Sequence, residues 1–232
     1  MQPFLDGQVI LINKPLNWTS FDAVKKVRVA TGVSKVGHAG TLDPLATGLL
    51  IICTGSFTKK ISEYMGWQKE YTGTITVGAT TPTFDKESEP ENFKPFDHLR
   101  ETDIKEATLS FIGRISQYPP LHSAVKKDGK RLYEYARKGQ EIEVEARQIT
   151  IDAFEITAVR LPEIHFRVVC STGTYIRSLA NDFGRVLGAG GYLSSLCRTR
   201  IGKFLLNDAS TPEGFVQKIQ EMKGQNGKPI PN

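Results

Sequence analysis

KVGHAGTLDPLATGLLII, residues 35 to 52, joins a Gly- and Thr-rich loop to a continuous apolar run and carries a single carboxylate, Asp43. The run LLIIC (49–53), closed by Thr54-Gly55, has the length and composition of a strand buried on both sides. The loop before it ends on Asp-Pro, the pattern of a helix N-cap with Pro at the first helical position. It is no phosphate cradle, because GHAGTLDP lacks the Lys that closes a P-loop. No GxSxG, HExxH or EF-hand pattern occurs elsewhere. The question is what a lone Asp does in so constrained a loop.

Working outward, QVILIN (8–13) reads as a strand. Ser20 is placed to cap a helix with Phe21, Val24 and Val27 on its apolar side, ending near Gly32. EYTGTITVG (70–78) alternates, with Tyr71, Ile75 and Val77 on one face and Thr72, Thr74 and Thr76 on the other. Residues 81–97 have three prolines and no periodicity and read as a loop. Thr102 is placed to cap a helix carrying Ile104, Thr108 and Phe111. A basic irregular stretch follows, then a short helix over 131–139 closed by Gly139. The segments QEIEVEA (140–146) and those around 149–159 and 164–170 alternate like antiparallel strands. After Thr174 comes a helix with Ile176, Leu179, Ala180, Phe183 and Leu187 on one face and Arg177 on its flank. SLCRTRIGKFLL is a last strand, and the polar tail from 207 onward is expected to fray. Helices and strands without strict βαβ order predict an α+β sheet protein.

Composition sets limits. The chain has 232 residues, 39% of them hydrophobic and 24% charged, as in ordinary globular proteins. No run approaches a membrane span, and the N-terminus lacks the basic and small-residue parts of a signal peptide, so a cytoplasmic protein is expected. Cys53, Cys170 and Cys197 are scattered, as are the four His, which argues against a disulfide framework or a metal site. Without a heptad seam a monomer is expected. The net charge of +5 is unevenly spread: residues 14–38 carry +4, and 114–138 and 167–203 carry +5 each, against −4 in both 85–106 and 139–163. The basic blocks form a phosphate-binding face if they share a surface and are ordinary solvated patches if they do not; charge does not choose. Taken singly, Asp43 reads as a cap, Tyr71 as a sheet aromatic and Arg177 as a surface residue with a snorkelling stem.

Taken together, six blocks resemble the TruB-type tRNA pseudouridine synthases, in family order across residues 9 to 204. They are INKPLNWTSFD (12–22), GHAGTLDPLATGLL (37–50), KEYTGTITVGATTPTFD (69–85), QYPPLHSAVKKDGKRLYEYARKG (117–139), CSTGTYIRSLANDFG (170–184) and LCRTRIGKF (196–204). The resemblance implies a pseudouridine synthase fold, with a mixed, mostly antiparallel central sheet, flanking helices and an RNA-gripping insertion at about 114–139. It implies a catalytic domain over 1–206 and a short tail over 207–232. Asp43 matches the catalytic nucleophile. Tyr71 matches the Tyr that stacks on the target uracil and moves a proton at C5, and Arg177 the Arg that pairs with the catalytic carboxylate. Lys14, His38, Leu42, Tyr175 and Leu196 match residues around the flipped nucleotide, and Lys126, Lys127, Lys130 and Arg131 fall in the insertion that grips the RNA backbone. The implied partner is tRNA, through its T arm, and the implied reaction needs no cofactor and no metal.

The chemistry is consistent with one acid. Isomerising uridine breaks N1–C1′, turns the base and joins C1′ to C5, with nothing oxidised or transferred. A single carboxylate suffices as the covalent player. Three positions depart from the family pattern: Asn17 in place of Gly in the Lys-Pro motif, Pro82 in place of Asp, and His122 in place of a bulkier residue. Asn is the least costly non-Gly residue if position 17 has positive φ. Many relatives carry a PUA-type RNA-binding domain after the last motif; only 28 residues follow Phe204, so reduced contacts beyond the T arm are expected. Two alternatives remain, an RNA-binding or tRNA-folding protein and a pseudouridine synthase for a different RNA.

Overall fold

The computed structural model describes residues 2–123, 126–127, 129–132, 135, 142 and 144–225. They form two compact units, residues 1–69 with 197–232, and residues 70–196. The architecture is α+β, with helices flanking a sheet in each unit.

In the first unit, β1 (Val9–Lys14) runs antiparallel to β3 (Ala46–Thr54), with Lys14 opposite Gly48 and Val9 opposite Cys53. β2 (Val36–Ala39) also pairs antiparallel with β3. The apolar run of β3 is continuous because both its faces are covered. Leu50 and Ile52 pack with Val24, Val27, Phe215 and Ile219; Leu49, Ile51 and Cys53 pack with Tyr64 and Ile201. β3 starts three residues earlier than the apolar run predicts, because no helix follows Asp43. Instead Ala46 N–H donates to Asp43 O at 3.0 Å, closing a turn with Pro44 at its second position that leads directly into the strand.

Helix α2 (Ser20–Thr31) is capped by Thr19 rather than Ser20. Thr19 Oγ1 accepts from Asp22 N, and Asp22 Oδ2 accepts from Thr19 N, a reciprocal capping box. Gly32, at φ +70°, ends the helix as expected. Phe21, expected on the apolar face, is exposed, and Ala23 is buried in its place.

Over residues 207–225, the described part of the polar tail, the chain does not fray as expected. After a short α1 (Gln2–Asp6) and α3 (Ile61–Gly66), a C-terminal helix spans Pro212–Gln225. Thr211 Oγ1 accepts from Gly214 N, Pro212 opens the helix, and Phe215 and Ile219 enter the core beside Phe4 and Val27. Burying two such side chains contributes about 1.5–3 kcal/mol each, which outweighs a polar composition elsewhere. Lys223 Nζ donates to Ala30 O at 2.9 Å and ties this helix to α2.

In the second unit, β4 (Lys69–Val77) lies between the first part of β10 (Gly191–Ile201) and β9 (Glu163–Cys170), followed by β8 (Arg147–Arg160) and β5 (Gly113–Gln117). β8–β9 and β5–β8 are antiparallel. Helix α4 (Glu101–Ala107) has Arg100, not Thr102, at its N-cap. Helix α5 (Ile176–Val186) is held by edge-to-face contacts of Phe183 with Phe154 and Phe111 at 5.1 and 6.0 Å. Within the stretch expected to be irregular, β6 (Lys126–Lys127) and β7 (Lys130–Arg131) form a small antiparallel hairpin, with Gly129 at φ +80°. Most of the helix expected over 131–139, and most of the strand expected over 140–146, lie outside the described residues; 144–146 are not in a strand. Among the described residues no helix is long and apolar enough to cross a membrane. The C-terminal helix is called α6 below.

Candidate active site

Asp43 sits on the loop between β2 and β3, and its side chain is exposed. The main chain around it is fixed from several directions. Leu42, buried at its side, is bracketed by Ser20: the hydroxyl accepts from Leu42 N at 2.9 Å and donates to Leu42 O at 3.1 Å. Asn17 N–H donates to Pro44 O at 2.9 Å. Asn17 has φ +63°, so the Asn that departs from the family's Gly does occupy a left-handed position, where Asn is tolerated best. The turn bond from Ala46 to Asp43 O completes the set. Thr19 taking over the capping role leaves Ser20 to serve the loop.

Two buried cations accompany the loop. Lys14, at the end of β1, is fully buried, and its ammonium donates to Pro15 O (3.0 Å) and Trp18 O (2.6 Å). Arg198, on β10, is 1% exposed and donates to Leu49 O and Gly40 O. Burial is the largest influence on Lys14 and brings its pKa from 10.5 to about 8; attraction to Asp43 opposes the shift, and the Arg198 charge adds to it. His38, half-buried on β2, is pushed below the usual imidazole range first by burial and then by Arg198, with a Gly40 backbone bond opposing. It is therefore a neutral imidazole near pH 7.

The Lys14 shift has a signed consequence. The native state binds this proton less firmly than the unfolded chain. Between pH 8 and the ordinary lysine range the unfolded state therefore holds more protons, and stability rises with pH. Below pH 8 both states are protonated and the penalty is present in full. Relative to Lys14→Met, the wild-type chain is expected to gain stability on going from about pH 7 to about pH 9.5. Urea unfolding of the two proteins at both pH values checks this; a constant difference refutes it.

The remaining candidates lie in the second unit. Tyr71 is buried on β4. Tyr175 caps α5 and is clasped by Gln117: its N–H donates to Oε1 at 2.8 Å, and Gln117 Nε2 donates to Tyr175 O at 3.0 Å. The Arg147 guanidinium lies over the Tyr175 ring at 5.3 Å. Leu196 is half-buried on β10. Arg177 is not the surface residue its helical position suggests. It is buried, donates to Thr83 O (3.3 Å) and His122 O (3.1 Å), and places Nε 3.6 Å from Asp85 Oδ2. Asp85 is itself buried; its carboxylate accepts from Glu87 N at 2.9 Å, and its carbonyl accepts from Thr81 Oγ1 at 2.8 Å. In the insertion, Lys130 is exposed, while the side chains of Lys126, Lys127 and Arg131 lie outside what the structure describes. Asp43, Lys14, His38 and Leu42 thus belong to one unit and Tyr71, Arg177, Tyr175 and Leu196 to the other.

Ser20, Arg198 and Asp85 were missed as functional candidates, although each lies within a quoted motif. Their partners are backbone groups or a charge many residues away, which neither spacing nor periodicity records. The first unit offers an exposed carboxylate on a pinned turn beside buried cations, an arrangement suited to a positioned anionic nucleophile. Among the described residues no group of three or more His, Cys, Asp or Glu could hold a metal ion.

Comparison with known proteins gives a consistent result. The family model described as TruB family pseudouridylate synthase (N terminal domain) matches residues 28–176. A "tRNA pseudouridine synthase B" of Flavobacterium johnsoniae is 54% identical over 226 residues, covering 94% of this chain and 99% of the relative. A protein of the same name from Chlorobaculum tepidum is 50% identical over 219 residues, covering 92% of this chain and 91% of the relative. Among solved structures, a chain of a Cbf5-Nop10-Gar1 complex superposes with a TM-score of 0.75 at 26% identity. It covers 97% of this chain, which spans 58% of that chain's length. The match over more than half the chain, together with these identities, places it in a family: the chain belongs to the TruB family of pseudouridylate synthases.

Proposed function

We propose that this chain isomerises uridine to pseudouridine in the T loop of tRNA, at the position conventionally numbered 55, acting as a monomer in the cytoplasm. The observation that carries the chemistry is the exposed Asp43 carboxylate on a turn whose backbone is bonded on both sides. The names of the relatives support tRNA as the substrate.

In this reading the target uridine leaves its stack, at a cost of a few kcal/mol. Tyr71 stacks on the extruded uracil and returns about 1–3 kcal/mol. Asp43 attacks, N1–C1′ breaks, the base turns, and C1′ bonds to C5 while the bond to Asp43 breaks and frees the carboxylate. The C5 proton then leaves, with Tyr71 placed to move it, and N1 ends protonated, so atoms and charge balance with no cofactor. Arg177 steadies the carboxylate. Lys14 supplies positive charge near it. His38, Leu42, Tyr175 and Leu196 bound the nucleotide. Lys126, Lys127, Lys130 and Arg131 meet the RNA backbone, as expected for recognition of a loop by phosphate contacts and splayed bases.

Tritium release from C5-labelled uridine in a T-arm hairpin tests the reaction, and mapping pseudouridine in RNA from cells lacking the protein tests the site. Release of none by the wild-type protein would leave an RNA-binding protein; loss of pseudouridine from another RNA, with position 55 intact, would reassign the substrate. The phosphate role gives a separate expectation. Lys130→Gln should weaken hairpin binding and lower the slope of log affinity against log salt by about 1, with the single-turnover rate on bound RNA unchanged. A salt titration that gives the wild-type slope removes Lys130 from the interface.

A further inference from the structure

We infer that Arg198 is a positioning residue that fixes the loop carrying Asp43, by holding the backbone on both sides of that loop with one guanidinium. The inference rests on the reading of Asp43 as the nucleophile and extends it to the group that sets the nucleophile's place.

The geometry is specific. Nε of Arg198 donates to Leu49 O at 2.8 Å, inside β3, and Nη2 donates to Gly40 O at 3.1 Å, where the loop begins. A guanidinium is planar and its donors keep a fixed spacing, so bonding both carbonyls fixes the distance between the two ends of the loop. A lysine ammonium at this position has no such fork. The residue is 1% exposed, so these bonds do not compete with water.

Of the glycines flanking the Asp43 loop, Gly48 is required by Arg198, and Gly40 by its own backbone conformation. Gly48 has φ +102°, and a Cβ on it would run into the Arg198 backbone, 2.7 Å from its nitrogen. Gly40 has φ +86°, and a Cβ there would sit 3.6 Å from Arg198 Nη1. The guanidinium therefore holds Gly40 O and Leu49 O, while Ser20 fixes Leu42 and Asn17 fixes Pro44 in between. A carboxylate held in this way needs no ordering when the base arrives. Misplacement by about 1 Å is enough to cost on the order of 10²-fold in rate.

The test uses full-length Arg198→Ala and Arg198→Lys with a T-arm hairpin, measuring hairpin affinity and the single-turnover rate on bound RNA. The expected result is a rate lower by about 10²-fold with affinity within about twofold of wild type. Millimolar guanidinium ion added to Arg198→Ala is expected to recover at least about tenfold of the rate, and none in Asp43→Asn. Should Arg198→Ala fail to fold, Arg198→Lys keeps the charge without the fork and is expected to show the same split. Wild-type rates in the folded variants, with Asp43→Asn inactive, overturn the positioning role alone. Activity in Asp43→Asn overturns the reading on which it rests. A purely structural arginine would lower the melting temperature and leave the rate of the folded protein unchanged.

Discussion

Asp43→Asn is expected to reduce pseudouridine formation by at least about 10⁴-fold, while hairpin affinity stays within about twofold of wild type. The substitution is nearly isosteric and removes only the anion. An amide has no lone pair of comparable nucleophilicity, so the covalent route is lost rather than slowed by poor fit. The loop should survive intact, because its shape depends on backbone groups: Asp43 O accepts from Ala46, Leu42 bonds Ser20, and Pro44 O accepts from Asn17. The Asp43 side chain is exposed and caps no helix, so the main cost is the lost attraction to buried Lys14, and stability should fall by about 1 kcal/mol or less. Tritium release measures the first effect, gel shift the second and urea unfolding the third. A variant that keeps one turnover in a hundred, relative to wild type, would move the nucleophile elsewhere.

The motif resemblance marks Asp43 as a candidate without giving the shape of its loop. Read locally, Asp-Pro points to a helix N-cap; the chain instead makes a turn and enters β3 directly. Local preference cannot separate the two, because Pro44 suits both the first helical position and the second position of a turn. Asn17 was legible for the opposite reason: positive φ is a property of one residue, and the sequence shows a residue that tolerates it. Arg198 and Asp85 were not legible, since their partners, Leu49 and Gly40 for one and Arg177 for the other, are set by strand order and not by spacing. The C-terminal helix was a different failure. Thr211, Pro212, Phe215 and Ile219 carry a cap, a first-turn Pro and an i,i+4 apolar pair, but an overall polar composition masked them.

Asp85 gives the second large effect, and it separates folding from chemistry. Its carboxylate faces Arg177 Nε at 3.6 Å, with both side chains 7% exposed. That distance exceeds a hydrogen bond, so the attraction is that of two nearby charges, and its value depends on both being present. Removing one member of a buried pair leaves the other charged without compensation and typically costs about 3–5 kcal/mol. Asp85→Asn keeps an acceptor for Glu87 N–H, so the anchoring bond of the loop survives, and a loss at the lower end of that range is expected. Activity should fall with it, because Arg177 also donates to Thr83 O and His122 O and would settle toward those carbonyls when the carboxylate no longer draws it. The double variant Asp85→Asn/Arg177→Met tests the distinction. Replacing a buried charge by an apolar side chain of similar length is often neutral or stabilising, so most of the lost stability should return. Pseudouridine formation should not return, since the guanidinium proposed to steady the Asp43 carboxylate is then absent. Urea unfolding and tritium release on the same three proteins would show stability recovering and activity staying low in the double variant. If both recover together, Arg177 serves the fold and has no part in the reaction.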